Sequence, residues 1–320
     1  MAILATVALG WLAGRMRWLG DGKADPARVL SNAAFYIFVP ALLFRTTARV
    51  DLPGLPWHIL LAYFLPTVGL MLAVYALQHR RRSGREPDEP AAPGVRAITV
   101  TFGNTVQMGI PMSAAMFGEA GLGLHLMLVS LHALILLSVV TALVELDLAR
   151  EQARNARGAG LWRTLASTLR NTVIHPVVLP VLAGLAWNLT GLGLPGVADE
   201  VLQLLGSAVV PLCLVLIGLS LAYYGLQGRA RGAMRMALLK LLLLPALVLA
   251  VAHWGFGLDG LPLSVMVMMA AAPVGSNALI FAQRYDTLQA ETTAAIVFST
   301  LGFVLSAPLW LALLTRLPVA

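Results

Sequence analysis

Charge and cysteine are both scarce in this chain, and each scarcity removes a class of function. Charged residues make up 12% of the 320 positions, about half of the ~25% usual in soluble domains. Apolar residues make up 59%, and long apolar runs recur throughout, so the chain reads as an all-α polytopic membrane protein. A single cysteine, Cys213, excludes an intramolecular disulfide and a thiolate metal cluster. No HExxH, no GxSxG and no pair of intramembrane aspartates occurs, so the nucleophile, base and metal-ligand sets of a membrane-embedded enzyme are not found. Neither is the soluble output domain expected of a receptor. No cofactor or metal site is expected. The net charge of +7 does not point to nucleic acid, because the basic residues sit in short loops between apolar runs.

Ten candidate spans follow in order: 1–19, 29–47, 57–77, 97–117, 122–145, 171–189, 197–223, 236–254, 261–283 and 290–314. Each is near the ~17–25 residues that a bilayer core requires. Arginine and lysine alternate between the loops, eighteen in the odd ones against three in the even ones and the C-terminus. By the positive-inside rule the odd loops are cytoplasmic and both termini lie outside the cell membrane. The segment 80–94, RRRSGREPDEPAAPG, is a flexible polar connection.

What the apolar runs do contain is more telling than their length. The fourth span holds GNTVQMGIP, Gly103 to Pro111, with Asn104, Thr105 and Gln107 beside Gly109 and Pro111. A lipid-facing helix has no use for that mixture. Pro111 lacks an N–H and its ring opposes the carbonyl of Gln107, so a helix here is expected to kink or break. The freed backbone groups must then be met by protein or by a water-filled cavity. The ninth span repeats the pattern in AAAPVGSN, Ala270 to Asn277, with Pro273, Gly275 and Ser276. Two proline- and glycine-interrupted spans in corresponding halves point to a transporter's binding site.

The halves correspond elsewhere as well. Val39-Pro40 in the second span matches Val210-Pro211 in the seventh, Pro66 matches Pro245, and Gly10 matches Gly184. Residues 1–147 form the first five-helix repeat, 148–170 a cytoplasmic connection and 171–320 the second repeat. Five is odd, so the second repeat enters the membrane with opposite orientation. The two interrupted helices are expected to meet near the midplane.

Asn104 followed by Gly109 and Pro111, the PLCLVLIGLSL of the seventh span and APVGSNALIFAQRYD from Ala272 to Asp286 resemble the auxin efflux carrier family. That family includes the plant PIN carriers and bacterial malonate permease-like proteins. The resemblance runs over essentially the whole chain. It implies ten helices in two inverted repeats, with the fourth and ninth crossing as an X at their prolines, and transport of small organic anions. It also implies that Asn104 and Asn277 hold the substrate carboxylate. The plant carriers' long central loop has no counterpart here, so their phosphorylation control is not expected. The partners expected are a small organic anion and the lipid bilayer, and a homodimer is possible.

The chemistry can be argued from the residues as well. A broken helix offers the N–H groups of the half that restarts, with positive potential from its dipole, and so can hold an anion without a buried cation. Asn104, Asn277, Gln107 and Ser276 add neutral donors, although each could instead bond between packed helices, the role expected of Thr105. His132, mid-span in the fifth helix, is the titratable group nearest the expected site; a satisfied core histidine is its other reading. His125, His175 and His253 are expected at the interface, and Lys240 is expected to snorkel to the cytoplasmic side. No acidic residue reads as buried. A sodium or proton antiporter would be expected to carry carboxylates at its crossover, which leaves anion uniport, or symport with a cation held by carbonyls. Finally, only fourteen residues precede Arg15, or about 21 Å of helix against a core of about 30 Å. A natural start some ten residues upstream is therefore expected.

Overall fold

The computed structural model of the chain describes residues 2–19, 26–49, 56–82, 89–106, 108–155, 174, 176–224 and 230–316. Among the described residues every regular element is helical, as hydrocarbon demands of a backbone that must satisfy its own polar groups. The first half comprises α1 (Ala2–Arg15), α2 (Pro26–Ala33), a π turn (Ala34–Phe38), α3 (Val39–Ala48), α4 (Trp57–Arg82), α5 (Ala92–Thr101) and α6 (Gly109–Asn155). The second comprises α7 (Val178–Leu189), α8 (Gly196–Tyr224), α9 (Ala230–Leu238), a π turn (Leu239–Leu243), α10 (Leu244–Ala250), a further π turn (Val251–Gly255), α11 (Gly260–Ala271), α12 (Asn277–Arg284) and α13 (Gln289–Leu314).

Six continuous helical stretches are long and apolar enough to cross a membrane, against ten expected spans. The difference has a local cause. The expected first and sixth spans appear as α1, of 14 residues, and α7, of 12, and the fourth and ninth are each split into shorter helices. In the ninth, α11 and α12 are separated by an extended stretch. In the fourth, α5 is separated from α6. The fourth and fifth then join without a gap, because Gly118 at φ 62° turns the chain inside α6. That φ is readily open to glycine alone. The fifth helix runs on to Asn155, beyond the expected end of its span at 145.

Proline shapes two further helices. Pro40 and Pro245 are each the second residue after a π turn, the widening that lets a helix pass a ring with no N–H to give. At Pro245 the opposed carbonyl is that of Leu241, and the Trp310 indole of α13 donates to it at 2.8 Å. Glycines bring other helices into close contact. A methyl at Gly10 of α1 would fall 2.2 Å from the Val215 carbonyl of α8, and one at Gly218 of α8 would fall 2.1 Å from the Val7 carbonyl. At Gly184 of α7 a methyl would lie 2.6 Å from the Phe44 carbonyl of α3. Small residues permitting backbone contact are the usual means of joining helices in lipid.

The core lies around α5 and α11. Nine of the ten residues of α5 are buried, and α11 is buried from Val265 to its end. A helix apolar on all sides belongs inside the bundle. Both of these buried helices stop short.

Candidate functional site

α11 ends where it does because Pro273 disfavours a helical Ala272, which is extended at φ −53° and ψ 142°. α5 ends at Phe102, extended at ψ 114°. The two stretches lie antiparallel, bridged at Gly103 and Val274. The Asn104 N–H donates to the Pro273 carbonyl at 2.7 Å, and the Gly275 N–H donates to the Phe102 carbonyl at 2.9 Å. Glycine is needed for this approach: a methyl at Gly275 would sit 2.7 Å from the Gly103 carbonyl. Side chains complete the set. The Gly103 N–H donates to His132 Nε2 at 3.2 Å, and the Val274 N–H donates to Ser299 Oγ at 3.0 Å. The Thr105 carbonyl accepts from His125 Nε2 at 2.7 Å. Irregular backbone inside a bundle is tolerable on this condition.

These bonds fix both histidines. An amide must find an acceptor, so His132 Nε2 is unprotonated, the ring is neutral and the proton sits on Nδ1. A carbonyl must find a donor, so His125 carries its proton on Nε2. His132 therefore holds backbone and is not a cationic ligand. His125, expected at the interface, is fully buried, and Gly109 makes room for it, since a methyl there would fall 2.7 Å from its Nε2.

Beside the paired stretches lies a cavity of about 140 Å³. Asn104, Ser276, Asn277 and His132 border it, with Thr46 of α3 and Ser130 of α6. Apart from Thr105 its remaining wall is apolar, from Leu42, Val129 and Val209 among others. Among the described residues no charged side chain lines it. Asn104 is buried and its Oδ1 has no partner, a state that costs free energy until something fills it. Asn277, half-buried, opens α12; the Ser276 hydroxyl does not cap that helix but meets the Cys213 thiol of α8.

Of the expected site residues, Asn104, Ser276, Asn277 and His132 converge on one cavity. Pro273 contributes its carbonyl to the pairing and Gly109 starts α6. Pro111 does not mark the break: it is the third residue of α6, in the first turn where its missing N–H matters least. Gln107 lies outside the described residues.

The half-helix amides differ from expectation. The N–H groups of Ala278 and Leu279 bond to the carbonyls of Gly275 and Ser276 at 3.1 and 3.0 Å, and that of Gly109 to Asn104 at 3.2 Å. The first turns have taken up some of the donors expected to hold an anion, so the Ser276 and Asn277 backbone amides, the amide side chains and the helix dipole remain for that task.

Two further expectations need correction. Lys240 does not snorkel: it is 1% exposed and its Nζ donates to the Ala270 carbonyl at 2.5 Å. Acidic side chains are buried after all, though away from the cavity. Asp147 is held by Tyr75 at 2.8 Å and His79 at 3.0 Å, and Glu291 lies 3.8 Å from Arg96. Partners supplied by other helices make these burials possible, and no single span carries a sign of them.

Two sets of polar contacts join the first half of the chain to the second. In one, Arg45 of α3 meets Asp199 of α8 at 2.8 Å, and Arg49 meets it at 2.7 Å. In the other, Arg284 lies over the rings of Phe35 and Tyr36 at 5.5 and 5.2 Å, and Arg28 pairs with Asp286 at 3.3 Å. The second set joins α12 and the turn after it to α2 and the π turn that follows α2.

Comparison with known proteins gives a consistent picture. The sequence profile of the family described as "Membrane transport protein" matches residues 1–311. An uncharacterized transporter of Methanothermobacter thermautotrophicus is 26% identical over 318 residues, covering 97% of this chain and 95% of the relative. A candidate malonate transporter of Rhizobium meliloti is 22% identical over 295 residues, covering 92% and 88%. Auxin efflux carrier component 8 of Arabidopsis thaliana is 24% identical over 248 residues, covering 65% and 66%.

Proposed function

Since the chain belongs to the membrane transport protein family, that of the auxin efflux carriers, we propose that it is a secondary transporter of small organic anions, carboxylates in particular, working by alternating access. The substrate sits in the cavity at the paired breaks, between Asn104 and Asn277. The observation that carries this reading is the meeting of two interrupted helices, one from each half of the chain, over a cavity whose polar groups are neutral donors. Asn104, buried with an unmet oxygen, can turn its amide to present N–H to a carboxylate.

Several features support an inverted repeat with crossed fourth and ninth helices. The expected first span packs on the seventh, as α1 on α8, and the second on the sixth, as α3 on α7. Exchanging the halves exchanges these two pairs. The same holds for α4 with α5 against α10 with α11, and for α11 with α6 against α5 with α13. With odd loops cytoplasmic, Arg45 and Thr46 lie toward the outside, and Arg284, Arg28 and Asp286 toward the inside. The cavity borders Thr46, while the inner side is closed by α12 against the turn after α2, which suits an outward-facing state.

Size and coupling can be narrowed further. A cavity of about 150 Å³ accepts benzene, so 140 Å³ suits an acid of a few carbons such as malonate. The carbonyls of Phe102, Asn104, Thr105, Val106, Pro273, Gly275 and Ser276 each already accept a hydrogen bond. That leaves little for a sodium ion and favours an anion moving alone over cation-coupled symport.

Thermal-shift titration with malonate, paired with uptake into proteoliposomes, tests the reading. Asn104→Ala and Asn277→Ala each remove a hydrogen bond to a charged group, worth ~1.5–3 kcal/mol. Both variants should purify normally and bind about ten- to a hundredfold more weakly. Unchanged affinity in both would reject the cavity as the binding site.

A further inference from the structure

Lys240 stands behind the paired breaks, on the π turn between α9 and α10, with its side chain fully buried. Its Nζ reaches the Ala270 carbonyl, next to last in α11, where the helix leaves carbonyls without intrahelical partners and the dipole favours a cation. Among the described residues no carboxylate pairs with it. The amine also packs on Gly103: a methyl there would lie 3.3 Å from Nζ and 3.6 Å from Cε. Gly103 borders the cavity on its other side. A buried lysine thus lies one glycine away from a substrate site whose own lining is uncharged. Glycine at 103 keeps the separation to the thickness of a backbone.

We propose that Lys240 supplies the positive charge of the site and sets its selectivity for anion charge, acting through the backbone at Gly103 without touching the substrate. This rests on the substrate reading above and deepens it by naming the favoured class as small dicarboxylates in their dianionic form. The neutral lining supplies shape and hydrogen bonds, and the cation behind it supplies the field. A field acts on each unit of substrate charge alike, so removing the cation should weaken a dianion by the square of the factor by which it weakens a monoanion. At an effective permittivity of about 20 and a separation on the order of 10 Å, that factor is on the order of tenfold. A merely structural lysine, holding the end of α11, would move both ligands equally when lost.

The experiment titrates purified full-length protein with malonate and with its monoamide, malonamate, which has nearly the same shape and one charge fewer. Lys240→Gln keeps an N–H for the Ala270 carbonyl and removes the charge; Lys240→Arg keeps the charge. Lys240→Gln is expected to weaken malonamate about tenfold and malonate about a hundredfold, while Lys240→Arg leaves the ratio between the two acids near that of wild type. Equal losses for both acids, or none, would overturn the proposal. Should Lys240→Gln not purify, wild type alone still decides: a cation behind the site requires malonate to bind at least tenfold more tightly than malonamate, and equal binding overturns it. Asn277→Ala is measured alongside. If it loses both acids while Lys240→Gln keeps the wild-type ratio, the cavity stands and the role of Lys240 falls. If wild type binds neither acid, the carboxylate reading falls and takes this one with it.

Discussion

Gly275→Ala adds one methyl group at the closest approach of the two extended stretches, which makes it the most direct strain on the paired breaks. The new carbon would start 2.7 Å from both the Gly103 carbonyl oxygen and Phe102 Cδ1. Moving from 2.7 Å to the 3.4 Å of ordinary contact parts the stretches by about 0.7 Å. If the bundle resists, overpacking costs ~1–3 kcal/mol. If it yields, the Gly275 and Asn104 amides lose partners in a buried setting, at ~1–3 kcal/mol each. A destabilisation of about 1–3 kcal/mol is expected by the first route and about 2–6 kcal/mol by the second. Binding should suffer separately, because Asn104 and Asn277 belong to different stretches and a site must hold its groups to within ~0.5 Å; malonate should bind at least ~tenfold more weakly. The assay is thermal unfolding of purified protein with and without malonate, since ligand binding to the native state raises its stability by mass action. Gly69→Ala is the control: that glycine lies on an exposed face of α4 with nothing within 4 Å of the added carbon, so its effect should stay within ~1 kcal/mol. Wild-type melting and wild-type malonate affinity in Gly275→Ala would refute the close pairing of the breaks.

Three other outcomes are expected. Pro273→Ala should impair uptake more than expression and more than Pro111→Ala does, because Pro273 keeps Ala272 extended whereas Pro111 stands in a first helical turn; uptake rates normalised to membrane protein level check the order. His132→Leu leaves the Gly103 amide without its acceptor and should destabilise by ~1–3 kcal/mol. His132→Gln, whose Oε1 can accept that N–H, should recover much of the loss in the same melting assay. Replacing sodium by choline should leave malonate uptake unchanged, since most carbonyls of the breaks are already engaged; a strict sodium requirement in proteoliposomes would restore the symport reading.

The helical character and the two interruptions were legible because their causes are local. Hydropathy marks a span whatever it packs against, and a proline or glycine inside one announces a break wherever the partner lies. The place of the first break was less legible. Pro111 suggested a kink over Gln107, but the chain leaves the helix at Phe102, where no proline stands. The stop there depends on bonds to Pro273 and Gly275, about 170 positions away, and such pairing leaves no trace in the local spelling.

The polar residues inside the spans divide along the same line. Asn104, Ser276 and Asn277 could be assigned to one site because the interruptions that carry them had to satisfy each other. His125 and Lys240 carried no such mark. A histidine or lysine near the end of an apolar run is equally able to reach headgroups or to turn inward, and the choice depends on what the neighbouring helix leaves unmet. For His125 it is the Thr105 carbonyl, reachable only because Gly109 has no side chain. For Lys240 it is the end of α11, exposed only because Pro273 stops that helix there. Each interruption therefore recruits a polar side chain from another span to finish its backbone. A polar residue near a span end is better read against the unmet carbonyls of the broken helices than against its own distance from the bilayer surface.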